Sequence, residues 1–138
     1  MKELELQSMM LRGLKTQGFY ATKTSDRFIA GKPDLRVGHL DHGQLDVELK
    51  VVLGPVDREV TTGLTKIQLA TIREMNRHGM PAVCLVFSAH LGVFYCANVL
   101  RGNLPEMGHC VLKLPRPKII DGHDLFKVAK EYLYAAGY

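Results

Sequence analysis

Two short runs hold the residues best suited to chemistry. Pro33-Asp34 sets a carboxylate at the start of one candidate strand, and Glu48-Leu49-Lys50 sets a carboxylate and an amine two residues apart on another. In a strand, residues two apart share a face, so Glu48 and Lys50 point the same way. Two hard carboxylates beside an ammonium group suit metal-assisted hydrolysis of a phosphodiester. Asp34 and Glu48 supply oxygen ligands for Mg²⁺, which keeps several waters and also takes phosphate oxygens. The metal acidifies a bound water and stabilises negative charge on the phosphoryl group. Lys50 is placed to orient the attacking water or to stabilise charge that develops in the transition state.

The elements that must position these residues are legible as patterns. From Gln44 to Val52, Leu45, Val47, Leu49 and Val51 alternate with Asp46, Glu48 and Lys50, the period of a strand with two unlike faces. Asp41-His42-Gly43 supplies a turn, so strands at 34–39 and 44–52 are expected as an antiparallel hairpin. A first amphipathic helix is expected over about 2–17, with Leu4, Met10, Leu11 and Leu14 on its apolar face and Gly18 closing it, followed by a short strand at 19–22. A loop is expected over 53–63, then a helix from about Thr65 to His78, ended by Gly79 and Pro81. The apolar run 82–87 reads as a central strand covered on both faces, 93–96 as another strand, and Asp121 as the cap of a last helix. Residues 101–118 are punctuated by Pro and Gly. The order implies a small mixed α/β sheet with flanking helices in one domain spanning 1–138.

The runs Gly31-Lys32-Pro33-Asp34-Leu35, Val47-Glu48-Leu49-Lys50-Val51 and Leu64-Thr65-Lys66-Ile67-Gln68, the last followed by a helix and Gly79, resemble the PD-(D/E)xK nuclease superfamily. Within it they look like the virus-type replication-repair (VRR-NUC) branch, whose pattern is GxPD, then ExK, then a Gln opening the next helix. Glu3-Leu4-Glu5-Leu6-Gln7 is similar to that branch's first helix, where an acid precedes a Gln by four residues. The resemblance covers about residues 3–87. It implies a restriction-endonuclease-like mixed β-sheet flanked by helices. It also implies a metal-dependent, structure-specific DNA endonuclease akin to Holliday-junction resolvases, using Mg²⁺ with Mn²⁺ as a substitute. Asp34 and Glu48 would be metal ligands, Lys50 the catalytic lysine, Gln68 an active-site residue, and Glu3 a further acid for which Glu5 competes. The stretch from Lys50 to Gln68 is longer than in compact members, which suggests a loop inserted beside the substrate groove.

Plainer readings stand beside these. Taken alone, Asp46, Glu48 and Lys50 would also suit the solvated face of an antiparallel strand; the coincidence with Pro33-Asp34 favours the site. Thr65-x-x-Gln68 is a capping box, which would tie Gln68 to the helix end rather than to a substrate. Glu3 and Glu5 suit a helix N-terminus through the macrodipole alone. His39 and His42 flank a turn and are expected to be solvated, Cys84 belongs in the core, and His109-Cys110 with Cys96 lacks zinc-site spacing.

Eighteen Lys and Arg against fourteen Asp and Glu make a net charge of +4. From residue 31 to 60, four basic residues meet six acidic ones; elsewhere fourteen meet eight. An acidic centre with basic surroundings suits a metal site flanked by DNA contacts. The candidate contacts are Lys32 and Arg36 near the first carboxylate, Lys66 at a helix start, and Arg116 and Lys118 on a Pro-flanked arm. No base-reading motif is evident, so recognition would rest on backbone charge and nucleic-acid shape. A homodimer follows on geometric grounds if a symmetric four-way junction is cut twice. Three widely spaced cysteines disfavour a disulfide framework, acids occupy the N-terminus where a signal peptide needs an apolar run, and no apolar run approaches a membrane span. An intracellular protein, in a prokaryotic or virus-infected cell, is expected. Competing functions are a restriction- or homing-type nuclease, a non-catalytic nucleic-acid-binding protein on the same fold, and a structural module.

Overall fold

A computed structural model describes residues 2–24, 31–53, 63–89, 92–97, 111–113 and 120–138. Its elements, in chain order, are α1 (Glu3–Thr16), β1 (Tyr20–Lys23), β2 (Leu35–His39), β3 (Gly43–Val52), α2 (Lys66–Arg77), β4 (Ala82–Ser88), β5 (Val93–Cys96), β6 (Val111–Lys113) and α3 (Gly122–Ala135). The six strands form one sheet in sequential order, β1 to β6. The β3–β4 pair is parallel and the other four pairs are antiparallel. Parallel neighbours need a crossover, and α2 supplies it between β3 and β4.

The alternation in β3 sorts its side chains as expected. Leu45, Val47 and Leu49 enter the core with Leu35 and Val37 of β2. The opposite face is a correction to the solvated reading: Asp46, Glu48 and Lys50 are only 1%, 2% and 9% exposed. Strand β4 is buried at all seven positions, as its unbroken apolar run implies.

Side-chain hydrogen bonds lock the helices to the sheet and to one another. Buried Asn76, near the end of α2, donates to the carbonyl of Ala82 (2.8 Å) and accepts from its N–H (2.9 Å), pinning the helix to the start of β4. Gln17, just past α1, donates to the Ile120 carbonyl (2.7 Å) and accepts from the Gly122 N–H (2.8 Å), clamping the entry to α3. Gly122 is required there, because a Cβ would fall 2.4 Å from the Phe19 ring. Asp121 caps α3 by accepting from the Asp124 N–H (3.0 Å).

Strand β6 was not legible in the Pro- and Gly-punctuated stretch. Most of the expected loop at 53–63 lies outside the described residues. No helix among the described residues is long and apolar enough to cross a membrane.

Candidate active site

The hairpin brings the two sequence runs together. In the β2–β3 ladder Leu35 faces Val47 and Arg36 faces Asp46, and continuing that register by one pair sets Asp34 opposite Glu48. Three hydrogen bonds hold the backbone around Asp34. Thr24 donates its N–H to the Asp34 carbonyl (2.9 Å) and its hydroxyl to the Pro33 carbonyl, while Oδ2 of Asp34 accepts the Leu49 N–H (2.9 Å). Asp34 itself stays half-buried.

Glu48 is the electrostatic centre of the group. Its Oε1 lies 3.6 Å from Lys50 Nζ and accepts a hydrogen bond from Gln68 Nε2 at 3.2 Å. Among the described residues its buried Oε2 has no hydrogen-bond partner. Burial, and then the facing Asp34 carboxylate, push the Glu48 carboxyl up to about 8, with Lys50 opposing the rise and Glu3 adding to it. Cys84 sits beside Glu48 in the β3–β4 register, and burial pushes its thiol up. That keeps it a neutral core residue.

Gln68 serves two masters at once. Its Oε1 accepts from the Thr65 N–H (3.0 Å), while the Thr65 hydroxyl accepts from the Gln68 N–H (3.1 Å), completing the capping box. The amide nitrogen remains free to donate to Glu48. The capping and active-site readings are therefore compatible, because an amide has two different ends.

Glu3 is half-buried and its charge is felt at Glu48, whereas Glu5 is exposed. Lys32 is half-buried and Lys66 exposed at the start of α2. Arg36 is committed to a partner that the sequence reading did not assign: its Nε and Nη2 donate to Oδ1 and Oδ2 of buried Asp46 at 2.9 and 3.2 Å. Hairpin arithmetic holds that signal, since Arg36 lies two after Asp34 and Asp46 two before Glu48. Arg116 and Lys118 lie outside the described residues.

His39 and His42 are not simply solvated turn residues. Both are half-buried and pack with His123 of α3, the three ring centroids lying 5.0–5.3 Å apart. His42 Nε2 and His123 Nδ1 share a 2.8 Å hydrogen bond, and Phe19 and Phe126 complete the cluster.

Two facing carboxylates need either a shared proton or a cation, and the hydrogen bond between Asp34 and protonated Glu48 that helps raise the Glu48 pKa is the first of these. Asp34 and Glu48, with an Oε2 that has no hydrogen-bond partner among the described residues, also fit a hard divalent ion. Among the described residues no three His, Cys, Asp or Glu side chains gather to hold one metal ion. A cation on this pair would take its remaining ligands from water and substrate, as Mg²⁺ ordinarily does.

Comparison with solved structures finds the same architecture elsewhere. Hjc of Archaeoglobus fulgidus, a Holliday junction resolvase from an archaeal hyperthermophile, matches with a TM-score of 0.52 at 16% identity, over 73% of this chain and 84% of its own. The fold is that of Hjc. No family model and no curated protein matches the chain. The likeness is one of fold, and the chemistry must be argued from the side chains.

Proposed function

We propose that this protein is a metal-dependent, structure-specific DNA endonuclease of the PD-(D/E)xK type, close to the VRR-NUC branch, acting inside the cell on branched DNA such as a Holliday junction. One observation carries the reading. A pair of opposed carboxylates, half-buried Asp34 and buried Glu48, has an oxygen with no hydrogen-bond partner among the described residues and sits beside Lys50 and Gln68. A purely structural sheet face gains nothing from a carboxyl held near pKa 8.

Asp34 and Glu48 would hold Mg²⁺ or Mn²⁺, which supplies an acidified water and charge neutralisation at the phosphate. Glu48 must first give up its carboxyl proton, and Gln68 Nε2 holds the resulting carboxylate in one orientation. Asp34 is aimed by the Leu49 N–H, which occupies one of its oxygens. Lys50, kept close to Glu48, orients the attacking water or stabilises charge on the phosphoryl oxygens. Glu3 adds negative potential from α1. A four-way junction with two-fold symmetry needs two cuts, and a homodimer would deliver them.

The test is cleavage of labelled four-way junctions, flaps and linear duplexes in Mg²⁺ or Mn²⁺. Cutting of branched DNA that is lost in chelator, in Glu48→Ala and in Lys50→Ala is the expected result. Variants that cut like the parent would defeat the assignment. A preference for long duplex at a fixed sequence would point to a restriction-type enzyme, and DNA binding without cleavage to a binding protein on this fold.

A further inference from the structure

The polar face that carries Asp34 and Glu48 does not stop there. In β1 and β2, Ala21 and Val37 pair and are buried, so Tyr20, Thr22, Arg36 and Gly38 lie on the other face, the one shared with Asp46 and Glu48. From the acid pair toward the edge strand β1 this face presents Arg36, then Thr22, then Tyr20.

Arg36 stands one two-residue strand repeat from Asp34, roughly 6.5–7 Å along β2. Buried Asp46 takes two N–H groups of its guanidinium and fixes its plane. An arginine has five N–H donors, so three are not taken by Asp46, on a side chain that is 36% exposed. Asp46 thus converts a flexible cation into a rigid donor fork. Such a fork matches the geometry of a phosphate.

Tyr20 is 64% exposed although it sits in a strand. It lies across from Gly38, and a Cβ built there would meet Tyr20 Cβ and Cδ1 at 3.7 and 3.8 Å. The glycine lets the tyrosine ring lie over its backbone, and most of the tyrosine remains exposed. An exposed aromatic ring next to a phosphate-sized donor fits a nucleotide with an unstacked base, because every base has a π-face to offer. A base inside a continuous duplex is already stacked and cannot use it.

We propose that Arg36 and Tyr20 form a track for a nucleic-acid strand with unpaired nucleotides beside the scissile phosphate. Arg36 takes the neighbouring phosphate and Tyr20 stacks on a base, with Asp46 as the positioning residue. This rests on the nuclease reading above and deepens it, naming DNA with an unpaired base near the cut as the preferred substrate.

The experiment uses the full chain and a set of junctions and flaps, each made fully paired or with one to three unpaired nucleotides near the branch. A 2-aminopurine at the unpaired position reports stacking through quenched fluorescence. The parent should bind the unpaired forms more tightly and quench the probe. Tyr20→Ala should abolish the quench and weaken binding on the order of ten-fold, as loss of one base–aromatic stack does, while Tyr20→Phe keeps both. Arg36→Ala should weaken binding and make its logarithmic salt slope shallower by about one. Because Arg36→Ala strands the buried Asp46 carboxylate, the Arg36→Ala/Asp46→Asn double variant is measured beside it and should show the same slope.

A parent that cuts branched DNA in Mg²⁺ with no preference for unpaired nucleotides overturns the track and leaves the nuclease reading standing. So do Tyr20 and Arg36 variants indistinguishable from the parent. A parent that neither binds nor cuts any DNA overturns both.

Discussion

Gln68 Nε2 donates to Glu48 Oε1 across 3.2 Å, while the other end of the same amide closes a capping box with Thr65. The start of α2 is therefore fastened to β3 through the buried carboxyl of the candidate site. Helix stability and side-chain orientation at the site share one residue.

Thr65→Ala and Gln68→Ala should separate these two roles. Loss of the Thr65 cap should cost about 1 kcal/mol of stability and leave single-turnover cleavage nearly unchanged, because the Gln68–Glu48 bond survives. Gln68→Ala should lower both the melting temperature and the cleavage rate. Equal rates for the two variants would show that Gln68 acts only as a cap.

Stability in chelator should fall as pH rises through the Glu48 window. A carboxyl with a folded pKa of about 8, against an ordinary 4.5, binds more protons folded than unfolded between those values. Unfolding therefore becomes easier as pH climbs from 4.5 to 8, and the loss persists above. Glu48→Gln should remove this slope and gain about 1–3 kcal/mol at pH 8.5, the scale of a relieved unsatisfied buried group. Denaturant unfolding of both proteins at pH 5.5 and 8.5 measures it, and a Glu48→Gln protein less stable than the parent at pH 8.5 would refute it.

Millimolar Mg²⁺ or Mn²⁺ should raise the melting temperature of the parent at pH 8 and leave that of Glu48→Gln unmoved. A ligand that binds only the folded state stabilises by mass action, and Oε2 of Glu48, with no hydrogen-bond partner among the described residues, would be one of its oxygen donors. Thermal melts across a metal titration decide the matter. Equal shifts in the two proteins would place the cation elsewhere.

Acidification should loosen the hairpin turn from α3. His42 is held below its ordinary range by partial burial, then by His123, His39 and Lys130, with Asp41 opposing. The folded state thus prefers neutral His42, so this contribution is fully present above about pH 6.5 and is lost as pH falls below it. Hydrogen exchange of the α3 amides between pH 7.5 and 5, referenced to intrinsic rates, should show protection falling in the parent and less so in His42→Asn.

Asn76→Ala should cost about 1–3 kcal/mol, because it strips the Ala82 N–H and carbonyl of a buried partner. Its melting temperature should drop with no change in the metal-induced shift. An unchanged melt would mean that water replaces the amide.

The fold was legible where one local rule governed a segment. The alternation of Leu45 to Val51, the Asp41-His42-Gly43 turn and the Asp121 cap each mark an element whose bounds the structure places within a residue or two. Strand β6 was not legible, because a three-residue strand exists only through its neighbour β5. The histidine cluster was hidden for a similar reason. His42 and His123 lie 81 residues apart, and no local pattern couples them.

By itself the sequence determined which residues share a strand face and, through the hairpin turn, which stand opposite one another. Asp34 with Glu48, and Arg36 with Asp46, follow from a period of two and an antiparallel register. What only the tertiary structure decided is the environment of that face. Alternation separates two faces but does not say whether the polar one will be covered, and it is burial that raises the Glu48 pKa and leaves Oε2 with no hydrogen-bond partner among the described residues. Burial depends on contacts between distant segments, and so does the chemistry that burial confers.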